Sequence, residues 1–450
     1  MTSVLSRKTI VGYGVGSLGT GGFATLPGLV LVYYLTDTLG VAALAAGVLV
    51  TVAKVWDVVI DPYLGAISDR SLARTGSRRR FMILGGSLVP VFFILTFAAP
   101  VGVGPVVAGL WVLAAFLLTA TAFSMFQVPY IALPAELVDA YDARTRLITW
   151  RVVFLTVAIL LFGAGGPALR GLAGGGNLGY LLMAVVAGLV IGAGMLFSST
   201  IAPRGAARGH STRQEPIAEH YAAGIRALRR SQPFRALLLT FVLQGLATGI
   251  MLAGAQYVAT WVLHSEDAVT LLFLALIAPA LLFAPVWGRI ARRIGKERTF
   301  VVASVLYGAA ALALVGLLAV PGVWVYLPVA VAGAAYAGMQ SLPLAMLPDV
   351  ISHDASRHGA GQAGVFSGMW TAGETTGMAL GATVLTVVLA VTGYVQSTAG
   401  VAATQSSEAV VGIVLSFSVV PAAIMGFSLI ALRRYRLRKA DIDEPAEVAP

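Results

Sequence analysis

The sequence predicts an all-α membrane protein: twelve transmembrane helices in two pseudo-symmetric six-helix bundles. Three observations carry this. Long apolar runs recur along all 450 residues, 58% of the residues are hydrophobic against 11% charged, and the basic residues fall in alternate connections. A soluble domain carries roughly 25% charged residues, and a chain this long would need them to cover two or three folded units. The runs 82–100, 236–263 and 299–321 match or exceed the roughly 20 apolar residues that a helix needs to cross a bilayer. Glycine, at 51 residues, suits close helix contact in lipid.

Apolar runs bounded by charge, proline or glycine clusters place spans at 9–36, 41–67, 81–99, 105–133, 147–170 and 178–201, then at 236–263, 268–291, 299–320, 324–347, 361–393 and 409–432. The first run is too long for a signal peptide and has no small-residue cleavage site behind it, so it is expected to stay as a span. The chain then divides into an N-terminal half (1–201), a basic, helix-compatible cytoplasmic linker (202–234), a C-terminal half (235–433) and a cytoplasmic tail (434–450). The tail ends in the acidic, disorder-prone Asp441-Ile-Asp-Glu-Pro-Ala-Glu.

Charge placement tests the span count. With the N-terminus in the cytoplasm, every one of the 30 lysines and arginines except Lys54, Arg151 and Arg170 falls on the cytoplasmic side. Both termini are therefore expected to be cytoplasmic. The net charge of +10 reads as a topology signal, and nucleic acid is not expected as a partner. There is no cysteine, so neither a disulfide nor a thiolate metal site can form. All five histidines fall in predicted connections, which argues against an imidazole relay in the membrane. Gly295-Lys296 is followed by Glu297 and makes no phosphate-cradling loop, and no Ser-His-Asp or metal-ligand constellation appears. Neither enzyme activity nor a cofactor is expected. Arginine outnumbers lysine 26 to 4, a usage that points to a high-GC bacterium and so to its cell membrane.

The halves repeat. After the second span comes Gly65-Ala-Ile-Ser-Asp69-Arg70, then Gly76-Ser-Arg78-Arg-Arg; after the eighth comes Gly288-Arg-Ile-Ala-Arg-Arg-Ile-Gly295-Lys296, without the aspartate. Spans four and ten share a second pattern. Gln127-Val-Pro-Tyr-Ile-Ala-Leu-Pro134-Ala-Glu136 leads to Asp142-Ala-Arg144, and Gln340-Ser-Leu-Pro343-Leu-Ala-Met-Leu-Pro348-Asp349 leads to Asp354-Ala-Ser-Arg357.

Only Asp57, Asp61 and Glu374 are expected well inside spans, where a charge costs about 2.5–3.5 kcal/mol at a helix centre. Lys54, Asp57 and Asp61 are spaced i, i+3 and i+7 and share one helical face that cannot look at lipid. Setting Lys54 and Arg151 against the three carboxylates leaves one negative charge, which a bound cation or a proton would neutralise. Plainer readings stand beside this one. Asp57 pairs with Lys54, Asp61 caps a break at Pro62, Arg151 snorkels to the surface, and Glu374 bonds a neighbouring helix, sharing its face with Trp370 and Thr371.

The loop copies resemble the cytoplasmic signature of the major facilitator superfamily, which implies a gating loop built on Gly65, Asp69, Arg70 and Arg78. The run Lys54-Val-Trp56-Asp57-Val-Val-Ile-Asp61-Pro62-Tyr-Leu-Gly65 resembles the glycoside-pentoside-hexuronide:cation symporters, typified by melibiose permease. Tyr33-Tyr-Leu-Thr-Asp37, Pro348-Asp-Val350 and His358-Gly-Ala-Gly-Gln-Ala-Gly-Val-Phe-Ser367-Gly extend the likeness along the whole chain. The resemblance implies a cation site at Asp57, Asp61 and Ser124, with Lys54 and Arg151 at the family's basic positions near the cation and sugar sites. Asp57 and Asp61 would be metal ligands only if the coupling ion were sodium.

Departures are as informative. Ile60 replaces an asparagine, the sugar-binding aspartates align with Gly21 and Gln127, the stacking tryptophans align with Ile131 and Gln340, and the lysine of span eleven is Glu374. The expected function is a secondary transporter that couples a small organic solute, sugar- or glycoside-like by family, to a cation through rocking of the halves. Protons are favoured over sodium because Ile60 removes a neutral oxygen ligand. Gln127, Arg151, Gln340, Trp370, Glu374 and the Gly21 position are the substrate-site candidates, and a monomer in the lipid bilayer is expected. Rival readings are an antiporting exporter of a metabolite or antibiotic, a carrier of amphipathic or lysolipid solutes, and a membrane sensor.

Overall fold

The computed structural model describes residues 6–137, 141–203, 226, 228–358, 363–398 and 403–437. Most of the expected linker, most of the tail, and His210 and His220 lie outside the described residues. Among those described, twelve helices are long and apolar enough to cross a membrane. They are α1 (Arg7–Thr38), α2 (Ala43–Leu72), α3 (Arg79–Thr96), α4 (Pro105–Pro134), α5 (Arg146–Leu172), α6 (Asn177–Ser199), α7 (Gln232–Val262), α8 (Ala268–Ile294), α9 (Lys296–Leu318), α10 (Val323–Arg357), α11 (Val365–Val391) and α12 (Ser407–Leu432).

Two compact units emerge, Met1–Arg213 with Tyr394–Gln405, and Gln214–Gly393 with Ser406–Pro450. In the first, α1 packs on α5 and α6, α2 on α4, and α3 on α4 and α6. The second repeats this with α7 on α11 and α12, α8 on α10, and α9 on α10 and α12. The sequence repeat is therefore also a repeat of packing. Lipid offers no hydrophobic drive for helices to associate, so contact quality decides. Glycine supplies it in both units: a Cβ on Gly377 of α11, for example, would lie 2.6 Å from the Val242 carbonyl oxygen of α7, and one on Gly85 of α3 would lie 2.6 Å from that of Ala122 on α4. The outward faces are apolar, as in the exposed stripe Leu44, Val48, Val52, Val55 and Val59 on α2.

The ends of the spans repeat too. α1 finishes in a π-helical turn over Tyr34–Thr38 and α7 in another over Val258–Val262. In each the chain closes with the same hydrogen bonds, Leu39 N–H to Tyr34 and Val41 N–H to Leu35, against Leu263 N–H to Val258 and Ser265 N–H to Ala259. Gly76 ends the α2 helix at φ 68° and Gly295 separates α8 from α9 at φ 90°, a region that favours glycine. These are the glycines of the two loop signatures.

The segment Tyr394–Gln405, which follows α11, belongs to the first unit. The Tyr394 hydroxyl donates to Asp37 Oδ1 at 2.6 Å, Ser397 N–H donates to the Thr36 carbonyl at 3.0 Å, and Leu39 and Thr398 form an antiparallel bridge. Asp37, at the end of α1, is thereby held by hydroxyls, since Thr36 also donates to it at 2.6 Å. Arg170, the one basic residue outside the cytoplasmic set and the spans' interior, is buried, donates to the Tyr180 hydroxyl at 3.0 Å and lies over the rings of Tyr33 and Tyr180.

Three expectations need correction. The α2, α4 and α10 helices run on to Thr75, Leu137 and His358, beyond the expected span ends. Pro134, Pro343 and Pro348 stay inside helices, because packed membrane helices tolerate the lost backbone bond. His353 accordingly lies on the α10 helix and not in a connection.

This extension gives the second acidic pattern a structural role. Asp349 takes the Lys296 ammonium at 2.6 Å, and Asp354 takes the Arg230 guanidinium through two contacts, Nε at 3.1 Å and Nη2. The Asp354 side chain is 4% exposed, whereas that of Lys296 is 43% exposed. Breaking a buried pair strands a charge, and an exposed pair contributes little. Asp354→Asn is expected to cost about 3 kcal/mol and Asp349→Asn under about 1 kcal/mol. Thermal melts of the purified variants check the order; equal melting points would refute it.

Candidate functional site

In the first unit α2 supplies three charged side chains on one face. Lys54 Nζ stands 3.3 Å from Asp57 Oδ2, with side chains 26% and 14% exposed. Asp57 Oδ1 is buried without a hydrogen-bond partner. One helical turn on, Asp61 accepts a hydrogen bond from Ser124 of α4 and keeps an exposed flank. The α2–α4 contact is pinned nearby by Trp56 Nε1, which donates to Thr121 Oγ1 at 2.9 Å. The Lys54 ammonium also lies 5.6 Å from the centroid of Phe23, itself stacked on Phe123 at 4.2 Å. One lysine therefore serves two carboxylates, and an orphaned oxygen and an accessible oxygen lie a turn apart.

A second cluster joins α1, α4 and α5. Tyr130 donates to the Tyr13 carbonyl at 2.7 Å, lies 3.0 Å from the Ser17 hydroxyl, and takes a hydrogen bond from Arg151, whose guanidinium stands 5.5 Å from its ring centroid. Arg151 is thus tied inward and does not snorkel. Its Nε is buried without a partner. Ser17 additionally donates to the Arg151 carbonyl at 3.2 Å. Between the clusters, Gln127 Oε1 accepts from Thr20 at 2.8 Å, which orients its amide and leaves the NH₂ group uncommitted to that bond.

Gly21 stands apart from both. It is buried against α5, where a Cβ would lie 2.7 Å from that of Ala158 and 3.2 Å from the backbone of Leu155 and Ile159. Its position serves helix packing. Of the loop signature, Arg78 reaches Ser68 Oγ at 3.4 Å, Arg70 is exposed, and the Asp69 side chain lies outside the described residues.

The second unit holds a small cavity lined by Phe241, Gly245 and Thr248 of α7, Tyr336 and Gln340 of α10, and Glu374 and Met378 of α11. Gln340 hydrogen bonds both Glu374 and Tyr336. Trp370 does not line this cavity: it is 2% exposed and stacks on Phe241 at 4.3 Å, with its indole N–H unpartnered. It shapes the cavity through Phe241.

Tyr13, Ser17, Thr20, Tyr130 and Tyr336 are site residues that sequence reasoning missed. Two had a signal. Tyr130 sits inside the Gln-Val-Pro-Tyr pattern, and Tyr336 precedes Gln340 by one helical turn, as Phe123 precedes Gln127.

Residues 12–439 match the family described as MFS/sugar transport protein. The chain belongs to this family. It is a multi-pass membrane transporter and not an enzyme. An uncharacterized symporter of Bacillus subtilis (strain 168) is 25% identical over 444 residues, covering 96% of this chain and 92% of that protein. A glucuronide carrier protein homolog of Escherichia coli (strain K12) is 22% identical over 457 residues, covering 97% and 94%. Among solved structures, a D-xylose-proton symporter superposes with a TM-score of 0.65 at 13% identity, covering 96% of this chain and 98% of that one, a likeness of fold.

Within this family member the Tyr130 hydroxyl is the centre of a buried polar network, and leaving a buried donor without its acceptor costs about 1–3 kcal/mol. Tyr130→Phe is expected to lose that much stability, as Arg151 loses its acceptor and the Tyr13 carbonyl keeps only the Gly16 N–H. An unchanged thermal melt would remove the network from consideration.

Proposed function

We propose that the protein is a symporter that couples uptake of a small, sugar- or glycoside-like solute to a cation bound at Asp57 and Asp61. One observation carries this: two carboxylates a turn apart on α2 share a single lysine, and Asp61 is held by Ser124 on a neighbouring span. Two carboxylates and one ammonium leave the empty cluster with a net negative charge, and moving such a charge through a low-dielectric barrier is costly. A bound cation cancels it. The loaded protein can then change state, whereas the empty-site charge opposes the change, and transport of the solute is tied to that of the ion.

The roles follow from position. Asp57 offers its orphaned oxygen, Asp61 the accessible one, Ser124 orients Asp61, and Lys54 holds Asp57 and tunes the cluster by its charge. Protons are favoured over sodium because Ile60 brings no oxygen to the cluster and hard metal cations take several oxygen ligands. Gln127 in the first unit and Gln340 in the second are each the group of their own unit that would hydrogen-bond hydroxyls of the solute, and Arg151 is the cationic group of the first unit's second cluster. A monomer in a bacterial cell membrane with cytoplasmic termini fits the distribution of basic residues.

Replacing both carboxylates, Asp57→Asn with Asp61→Asn, is expected to abolish gradient-driven accumulation in right-side-out vesicles while insertion and folding persist. Normal accumulation by that double variant would refute the cation assignment. Ser124→Ala removes a hydrogen bond that favours the charged carboxylate, worth about 1.5 kcal/mol, so half-saturation is expected at about tenfold lower proton concentration if the ion is a proton, and at about tenfold higher concentration if it is sodium and loses an oxygen ligand. Uptake assays over a range of pH and sodium concentrations measure the shift and identify the ion.

A further inference from the structure

We infer that the second-unit cavity binds a protonated amine on the transported solute, so that the substrates are aminated sugars or glycosides. The inference rests on the transport reading above but not on its cation site.

Its basis is an asymmetry of charge. Each carboxylate of α2 has Lys54 within its own unit. Glu374 is hydrogen-bonded only by the neutral Gln340, and among the described residues it has no ion pair. The described basic residues of the second unit lie at helix ends, at Arg226–Arg235, Arg289–Arg298, Arg357 and Arg433–Arg436, and two of them are paired there, Arg230 with Asp354 and Lys296 with Asp349. A neutral amide orients a carboxylate and does not cancel its charge. The charge has to be met by a proton on the carboxyl or by a cationic group that enters the cavity.

The rest of the lining fits an ammonium group. Phe241 and Tyr336 present aromatic rings, which attract cations over their faces, and Thr248 adds a hydroxyl. The Thr248 hydroxyl donates to the Gln244 carbonyl at 2.9 Å and is hydrogen-bonded with Tyr307, so a lone pair is what it has left for the cavity. An ammonium carries three donors and no acceptor. Carboxylate, hydroxyl oxygen and ring faces are the set that suits it, and a sugar hydroxyl would need no carboxylate. The scaffold is also stiff. Spans α7 and α11, which carry Phe241 and Glu374, touch backbone to backbone at Gly249 and Gly381. Trp370 backs the Phe241 ring at 4.3 Å.

The test uses the purified full-length protein in detergent and needs no ion gradient. Thermal stability is followed with matched sugars, glucosamine, N-acetylglucosamine and glucose, then galactosamine and galactose, at constant ionic strength and on the order of 10 mM ligand, since stabilisation follows ligand binding by mass action. The amines are expected to raise the melting point, and the acetylated and neutral sugars to do so at least tenfold less effectively by concentration. Glu374→Gln should remove the advantage of the amines, and Phe241→Ala should weaken it. Should Glu374→Gln fail to fold, Glu374→Asp keeps the charge but withdraws it by one methylene, and is expected to weaken amine binding selectively.

Equal stabilisation by amine and neutral members, none by any amine, an amine effect that survives Glu374→Gln, or one reproduced by sodium or potassium chloride alone would each overturn the inference. The double variant Asp57→Asn, Asp61→Asn separates the two readings. It should keep the amine effect, so its loss of accumulation tests only the cation site, and a missing amine effect in the wild type defeats only this inference.

Discussion

A carboxylate inside a membrane helix has to be answered by a partner, and that constraint organises this protein. On α2 the answer is incomplete by one charge. Lys54 takes Asp57, and Asp61 has only the hydroxyl of Ser124 and the more distant lysine. For the face bearing these groups to avoid lipid, α2 must present its opposite side outward, and the exposed stripe from Leu44 to Val59 does so. The α2–α4 contact, pinned by Trp56 and Thr121, follows from the same need, because the serine that answers Asp61 stands on α4. Phe23 on α1 completes the enclosure over the lysine.

Much of this was legible in the sequence, for a physical reason. Apolar length, basic asymmetry and the i, i+3, i+7 spacing of Lys54, Asp57 and Asp61 are set by the bilayer, and the bilayer acts on every residue alike. Features that depend on one chain segment meeting another were hidden. The burial of Arg170 among Tyr33 and Tyr180, the docking of Tyr394 on Asp37, and the inward tie of Arg151 to Tyr130 join residues far apart in sequence. Helix ends were misjudged where a proline was read as closing them, since Pro134 stays inside α4 and Pro348 inside α10. The π-helical ends of α1 and α7 left a trace in retrospect: Tyr33-x-x-Thr36 and Tyr257-x-x-Thr260 stand at matching positions.

The pairing of helices is the same in both units, yet their interiors differ in charge. Packing and chemistry are separable here because close approaches are made by backbone in both units, as at Gly85 beside Ala122 and at Gly377 beside Val242. A contact made by backbone does not change when a neighbouring side chain is exchanged. The first unit therefore keeps a lysine with two carboxylates while the second holds one carboxylate, on scaffolds whose helices meet in the same order.

The paired glutamines show how such an interior is tuned. Gln127 follows Phe123 by one turn and spends its carbonyl oxygen on Thr20, which turns its amide donors toward other partners. Gln340 follows Tyr336 by one turn and is held between that phenol and Glu374. A hydroxyl on one aromatic ring and a carboxylate on the adjacent span are the main difference in their surroundings. The first arrangement leaves amide donors uncommitted, and the second surrounds the amide with acceptors and negative charge. Two units with one architecture thus hold different chemistry around the same glutamine, which a symmetric pair could not do.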